Sequence, residues 1–255
     1  MVMTSTSTNV QVWTDLTEHE VQQACRQVIG RAGTSGLRGD LRWVIAVCRG
    51  LRYSPYLLVA KQDDRPVGVL PLALVKSWLF GRFLVSLPYV NSAGVVAEDE
   101  DVAQALVDRA VELADELDVR YLELRHEAEL SHSALTHQLT SKVHMRLPLP
   151  DSADELWKSL KPKVRNQVRK AEKLGLTVHW NGPELLREFY AVFARNMRDL
   201  GTPVFGRRLF VSMLTQFPEE AELGVVRLGG RPIAAALLVH GNGMTEVPSA
   251  SSLRK

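Results

Sequence analysis

The chain has 255 residues, 45% of them hydrophobic, 24% charged and 7% aromatic, enough apolar content for one large core or two modest ones and too much for a disordered chain. Lys plus Arg total 31 against 29 Asp plus Glu, a formal net charge of +2, which argues against a general basic coat for nucleic acid. The two cysteines, Cys25 and Cys48, offer no disulfide framework, CxxC pair or zinc spacing and suit a reducing cytosol.

Residues 1–8 are polar and rich in Thr and Ser, without the basic segment and apolar run of a signal peptide. Residues 9–13 alternate as a strand, and Thr17 with Glu20 predicts a capping box ahead of a helix through about Ile29. A loop with Gly30, Gly33, Gly36 and Gly39 follows. Asp40 is the expected cap of a second helix that turns Leu41, Val44, Ile45 and Cys48 inward. The period then changes: residues 56–61, 66–75 and 82–87 are short runs rich in Val, Leu and Phe, the signature of a sheet. The most apolar stretch, 66–80, is interrupted by Pro71 and Lys76 and falls short of the roughly 18 apolar residues of a membrane span. Tyr89, Asn91 and Ser92 form a polar turn. Residues 101–117 return to helical spacing, with Val102, Leu106, Ala110, Leu113 and Leu117 on one face, and 120–125 and 143–149 read as strands.

Pro148, Pro150, Asp151 and Ser152 mark a boundary. A short helix with Trp157 and Leu160 follows, and Pro162 opens another that stops before Gly175. Residues 176–180 read as a strand, and 184–200 as a helix with Leu186, Phe189, Phe193, Met197 and Leu200 on one side. Residues 222–228 and 232–240 read as a hairpin turned at Gly229 and Gly230. From Glu246 the chain ends in a polar SASSLRK segment, read as unpacked.

Asp64-Arg65-Pro66-Val67-Gly68 parallels Gly230-Arg231-Pro232-Ile233-Ala234, with both prolines between strand-like runs and after long helical regions. The parallel predicts either a duplicated α/β module or two unrelated hairpins. On the first reading the domains are 9–150 and a partial second copy, 151–255, shortened at its C-terminus. A smaller second domain of different topology is the alternative.

Residues 98–129 hold twelve acidic residues and three Lys or Arg, whereas 161–173 hold six basic residues and one acid. Arg165 and Arg169 are i,i+4 neighbours, and with Lys170 they form either a solvated basic face or a site for a phosphate or other polyanion. Asn196, Arg198 and Thr202 lie in a donor-rich turn that either closes a ligand cleft or satisfies the helix end. Glu246 is the one carboxylate on the final element, a candidate base or ammonium ligand. No GxGxxG, Walker loop, HExxH or GxSxG occurs, and the His126, His132, His137 and His144 spacing fits no metal pattern. The expectation is no metal site.

The runs Arg65-Pro66-Val67-Gly68-Val69-Leu70-Pro71-Leu72, Val164-Arg165-Asn166-Gln167-Val168-Arg169-Lys170-Ala171, Phe189 to Pro203 (FYAVFARNMRDLGTP) and Thr245-Glu246-Val247-Pro248 resemble the FemAB-like family. The similarity is to its branch associated with PEP-CTERM sorting and exopolysaccharide systems. That resemblance implies an α/β (α+β) fold, a GNAT-like mixed sheet flanked by helices, tandemly duplicated with the second copy incomplete. It also implies acyl or aminoacyl transfer to an amine in envelope or exopolysaccharide biosynthesis, with acyl-CoA or aminoacyl-tRNA as donor and no tightly bound cofactor. In GNAT enzymes strand-end backbone groups polarise the acyl carbonyl while the amine attacks directly, which suits a sequence without a nucleophilic triad. Arg165, Arg169 and Lys170 would then contact a phosphate-bearing donor or precursor. Asn196, Arg198 and Thr202 would shape the amine site. The expected location is cytoplasmic, peripheral to the inner membrane, with no integral segment. A noncatalytic precursor-binding or assembly protein, and RNA binding through the basic helix, are the competing readings.

Overall fold

The computed structural model of the chain describes residues 7–32, 40–90, 92–141 and 143–254. Gly33, Gly36, Gly39 and Asn91, singled out above, lie outside the described residues. Two compact units emerge: residues 1–138, 205–221 and 239–248 form unit 1, and residues 139–204, 222–238 and 249–255 form unit 2.

In unit 1, β1 (Asn9–Trp13), α1 (His19–Ala32), α2 (Leu41–Leu51), β2 (Ser54–Gln62), β3 (Arg65–Ser77) and β4 (Gly81–Val85) lead through β5 (Val96–Ala97) and α3 (Glu100–Glu116) to β6 (Leu122–Glu123). The sheet order is β1-β2-β3-β4-β6, with β5 on β3. Neighbours are antiparallel except β4 and β6, which run parallel. The β3 run is apolar throughout because both of its faces are covered: Val67 to Val75 are buried without a break. On one face α3 packs its predicted stripe, Val102, Leu106, Ala110 and Leu113, against Leu58, Ala60, Leu70 and Leu72.

The α1 start differs from expectation. Thr17 donates its hydroxyl and its amide N–H to Asp15 Oδ1 at 2.7 and 2.9 Å, and Glu20 takes Lys61 Nζ at 2.7 Å, so a turn and a helix-to-strand ion pair replace the capping box. Asp40 does cap α2, accepting the Arg42 N–H at 2.8 Å. Unit 1 also holds α7 (Arg207–Gln216), a helix the sequence reading left unassigned. It lies so close to α2 that a Cβ on Gly50 would stand 2.6 Å from Leu209 Cα. Trp43 meets Phe217 edge to face at 5.4 Å, and Arg42 bridges Asp40 and Glu220 at 2.9 and 2.6 Å.

In unit 2, α4 (Ala153–Ser159) is capped by the Ser152 hydroxyl, α5 (Pro162–Lys173) opens on Pro162, and Gly175 takes φ +74 after it. Then come β7 (Leu176–Asn181), a 3₁₀ turn (Pro183–Leu185) and α6 (Leu186–Asp199). β8 (Ala221–Leu228), β9 (Arg231–Gly241) and β10 (Met244–Ser252) complete a second sheet of order β10-β9-β8-β7. The polar end is therefore a strand: β10 pairs with β9, Ser249 is buried, and Leu253 N–H donates to Ile233 O at 2.8 Å. The expected strand at 143–149 is absent among the described residues, and Val143, Met145, Leu147 and Leu149 stand exposed. Alternation supplies a face, but a strand also needs a neighbouring edge to bond.

The element order β, α, α, β, β, β occurs twice, as β1 to β4 and as β7 to β10. Both Arg-Pro hairpins turn through two consecutive positive-φ residues, Asp63 (48°) with Asp64 (61°) and Gly229 (56°) with Gly230 (77°), the backbone that a two-residue hairpin requires. In β1 and β7 the registers also agree: Val12 faces Leu58 as Trp180 faces Gly224. An ion pair recurs with them, Glu20 to Lys61 in unit 1 and Glu188 to Arg227 in unit 2, each tying the first helix to the second strand.

Candidate functional site

Unit 1 contains a pocket of about 550 Å³ where the β1 end, α2, the β2 start and α7 meet. Its charged lining is Asp15, Arg49, Arg52 and Arg208. Arg49 ends α2 as a base favoured by the helix dipole. Arg52 is its C-cap, held at φ 61° with its N–H on Cys48 O. Hydrogen bonds from the Thr17 hydroxyl and amide, with Arg49 nearby, hold Asp15 below the usual carboxylate range. Three guanidinium groups against one ionised carboxylate leave the pocket cationic at neutral pH. Guanidinium forks match phosphate and carboxylate oxygens two at a time. Cys48, also in the lining, is pushed up to about 12 by burial, so it is a neutral thiol at pH 7 rather than a nucleophile.

Unit 2 contains a smaller cleft of about 410 Å³. Val178 and Trp180 of β7, Gly224 and Val226 of β8, and Ala234 and Ala236 of β9 line it. A Cβ on Gly224 would stand 2.4 Å from the Trp180 ring, so the indole lies directly over the glycine and only glycine leaves room for it there. Asn196 of α6 enters the same cleft with Ser251 of β10, its Nδ2 donating to Ser251 Oγ at 3.3 Å. The amide and hydroxyl are the polar handles of a largely apolar groove, the usual composition of a small-molecule site.

Of the residues singled out from sequence, Asn196 is in this cleft; Arg165, Arg169, Lys170, Arg198, Thr202 and Glu246 line neither pocket. On α5, Arg165 is half-buried with its Nε lacking a hydrogen bond among the described residues. Arg169 lies 5.6 Å over the Trp157 ring, a cation–π contact, and Lys170 is exposed. Arg198 sits 3.6 Å from Asp199 at the end of α6. Thr202 is exposed and donates its N–H to Met197 O at 3.0 Å. Glu246 is half-buried on β10, in a segment grouped with unit 1. The arginines of the unit 1 pocket escaped the sequence reading. Arg49 and Arg52 look like ordinary helix-end bases, and Arg208 is 156 residues away from Arg52 on an unrecognised helix.

Residues 158–251 match the family model of the acetyltransferase (GNAT) domain, a span that runs from the end of α4 into β10. The crystal structure of FemX is similar to this chain with a TM-score of 0.58 and 15% identity, over 89% of this chain and 79% of that one. A tandem GNAT protein from the clavulanic acid biosynthesis pathway aligns over 97% of this chain and 80% of its own, with 11% identity and a TM-score of 0.47. No curated protein matches the chain in sequence. The family match places a GNAT domain at residues 158–251, and the FemX likeness shows a shared fold over most of the chain.

Proposed function

We propose that the chain is an acyl- or aminoacyltransferase that moves an acyl group to the amine of a phosphate-bearing envelope or exopolysaccharide precursor, in the manner of the PEP-CTERM-associated FemAB-like proteins. The single observation that carries the transferase reading is the GNAT match over residues 158–251, within which the Asn196 cleft lies. In the reaction the acceptor amine attacks the acyl carbonyl, the C–N bond forms, and the bond to the donor's thiol or ribose oxygen breaks as the amine loses its proton. Both cysteine thiols are pushed up to about 12 by burial, which favours direct attack over a cysteine-bound intermediate.

The donor is acyl-CoA or an aminoacyl-tRNA, with Arg165, Arg169 and Lys170 on α5 meeting its phosphates. Asn196, Arg198 and Thr202 shape the amine site, and Glu246 is the candidate proton acceptor. In this proposal residues 9–150 and 151–255 are two GNAT-like modules, and the protein works in the cytoplasm beside the inner membrane.

The test is transfer of label from acetyl-CoA, and separately from charged tRNA, to a panel of phosphate-bearing amines. Product is expected with one donor class. Arg165→Ala with Arg169→Ala is expected to raise the donor KM about 10- to 100-fold, as the loss of charge-assisted bonds to a phosphate does, with a smaller change in kcat. Saturable precursor binding without product from either donor overturns the enzyme reading in favour of a noncatalytic binding protein.

A further inference from the structure

The hairpin joining β3 and β4 in unit 1 turns through three residues, Trp78, Leu79 and Phe80, between the paired Ser77 and Gly81. Exposed hairpin tips ordinarily carry Gly, Asn, Asp or Ser. Here three large apolar side chains stand free, Trp78 101%, Leu79 71% and Phe80 63% exposed. Behind them Phe83 and Tyr121 stack with ring centroids 5.1 Å apart, and Tyr121 is itself half-exposed. The apolar tip is thus continuous with an aromatic flank.

A cationic collar surrounds the base of the tip. Lys76 and Arg82 are direct cross-strand partners, and Arg120 reaches the tip with its Nη1 on Phe80 O at 3.2 Å. Asp118, paired with Arg82 at 2.5 Å, offsets one of the three charges. The backbone is prepared for a low-dielectric setting as well. Phe80 N–H is taken by Ser77 Oγ at 3.2 Å and Phe80 C=O by Arg120, so the last loop residue carries its polar groups already bonded. Backbone entering lipid must be satisfied in this way.

We propose that residues 78–80 are a membrane-surface anchor. The Trp, Leu and Phe side chains insert at the headgroup level of an anionic bilayer, and Lys76, Arg82 and Arg120 face lipid phosphates. Three side chains at a convex tip are far below the roughly 800 Å² per partner of a standard protein interface, whereas interfacial lipid docking needs only a few apolar residues and a basic rim. Trp and Tyr are the residue types that settle at the membrane–water boundary. The proposal is independent of the transferase reading, and it concerns attachment without a span: no helix among the described residues is long and apolar enough to cross a membrane.

The test is co-sedimentation of the full chain with vesicles of 70% phosphatidylcholine and 30% phosphatidylglycerol, and with pure phosphatidylcholine. Binding is expected to the first and to be weaker to the second. Trp78→Ser with Phe80→Ser is expected to weaken it by about 30-fold or more. Lys76→Gln and Arg82→Gln are each expected to weaken it roughly fivefold and to narrow the preference for anionic vesicles. Leu139→Ser, at an exposed apolar residue of unit 2 outside both pockets, is the unaffected control. Brominated lipid is expected to quench the tryptophan emission of the parent chain and to lose most of that effect in Trp78→Phe, a variant that keeps the tip apolar and the fold intact. Failure of the parent to sediment with anionic vesicles overturns the proposal. So does equal sedimentation by the tip variant, unchanged quenching in Trp78→Phe, or a dimer that the tip variant dissolves without any vesicle binding.

Discussion

The two sheets share strand order, hairpin turn and helix-to-strand ion pair, and they part company on one face. In the first sheet that face lies under α3, and Leu58, Ala60 and Leu70 are fully buried against it. In the second sheet the positions in the same register and at the same distance from the Arg-Pro turn are Gly224, Val226 and Ala236, and they line a cleft. Leu58 and Leu70 have given way to Gly224 and Ala236, Ala60 has the slightly larger Val226 in its place, and Val12, half-buried in the first sheet, has Trp180, just over half exposed, as its counterpart. One frame therefore serves as a packed core in one unit and as a concave, partly wet groove in the other. The residues beneath the face decide which.

Exchanging those residues tests this most directly. Leu70→Ala gives the first sheet the residue the second has, and the buried cavity it leaves is expected to cost about 3 kcal/mol, read as a lower urea midpoint. The reciprocal Ala236→Leu is expected to cost under about 1 kcal/mol, because the added methyl groups enter open space, while filling the cleft and weakening any ligand it holds. Next in size is Gly68→Val. A Cβ there already meets Val102 Cγ1 at 2.7 Å and Leu106 Cδ1 at 2.9 Å, so overpacking against α3 is expected to cost about 1 to 3 kcal/mol. Its counterpart Ala234→Val should stay within about 0.5 kcal/mol. Equal costs on the two sheets would abolish the contrast.

Gly224→Ala is expected to act more gently on stability, at about 1 kcal/mol or less, because the Trp180 ring can swing away into solvent. Its mark is spectroscopic, a red-shifted tryptophan emission. The smallest effect is on pH dependence. Hydrogen bonds from Arg227 hold the Glu188 carboxyl below its ordinary range. A depressed carboxylate stabilises the fold above its unfolded pKa, and that stabilisation fades as pH falls through the folded value. Glu188→Gln should therefore remove that contribution at neutral pH, a small one because the pair is partly exposed, and flatten the acid limb of unit 2 unfolding below about pH 4.3 by the same amount. Amide exchange of β8 against pH checks it.

Much of this frame was legible in the sequence. The β3 run and the α3 stripe announced themselves by composition and period, and the Arg-Pro repeat pointed to the duplication. What stayed hidden was whatever depends on a partner supplied from elsewhere. β10 carries Ser249, Ser251 and Ser252, a polar run that becomes a strand because β9 offers its edge. Residues 143–149 have the better alternation and no strand. α7 begins without a side-chain cap after Gly206 and runs only ten residues, too short for its Leu209, Phe210, Met213 and Leu214 pattern to stand out. The arginine pocket was invisible for the same reason, since Arg208 belongs to that helix. Asn196 was found because it belongs to the donor-rich turn that closes an apolar helix, a contrast conspicuous in one dimension.

The close approach of Gly50 to Leu209 has a consequence for biogenesis. Both helices belong to unit 1, yet 159 residues separate the two contacting positions. A ribosome adding about 5 to 20 residues per second takes on the order of ten seconds to cover that distance. For that interval the α2 surface that will receive Leu209 and Phe217 has no native cover, and Trp43 waits with it. The nascent chain therefore carries that surface without its native cover until residue 221 has emerged. Unit 1, although it starts first, cannot finish folding before most of unit 2 has been made.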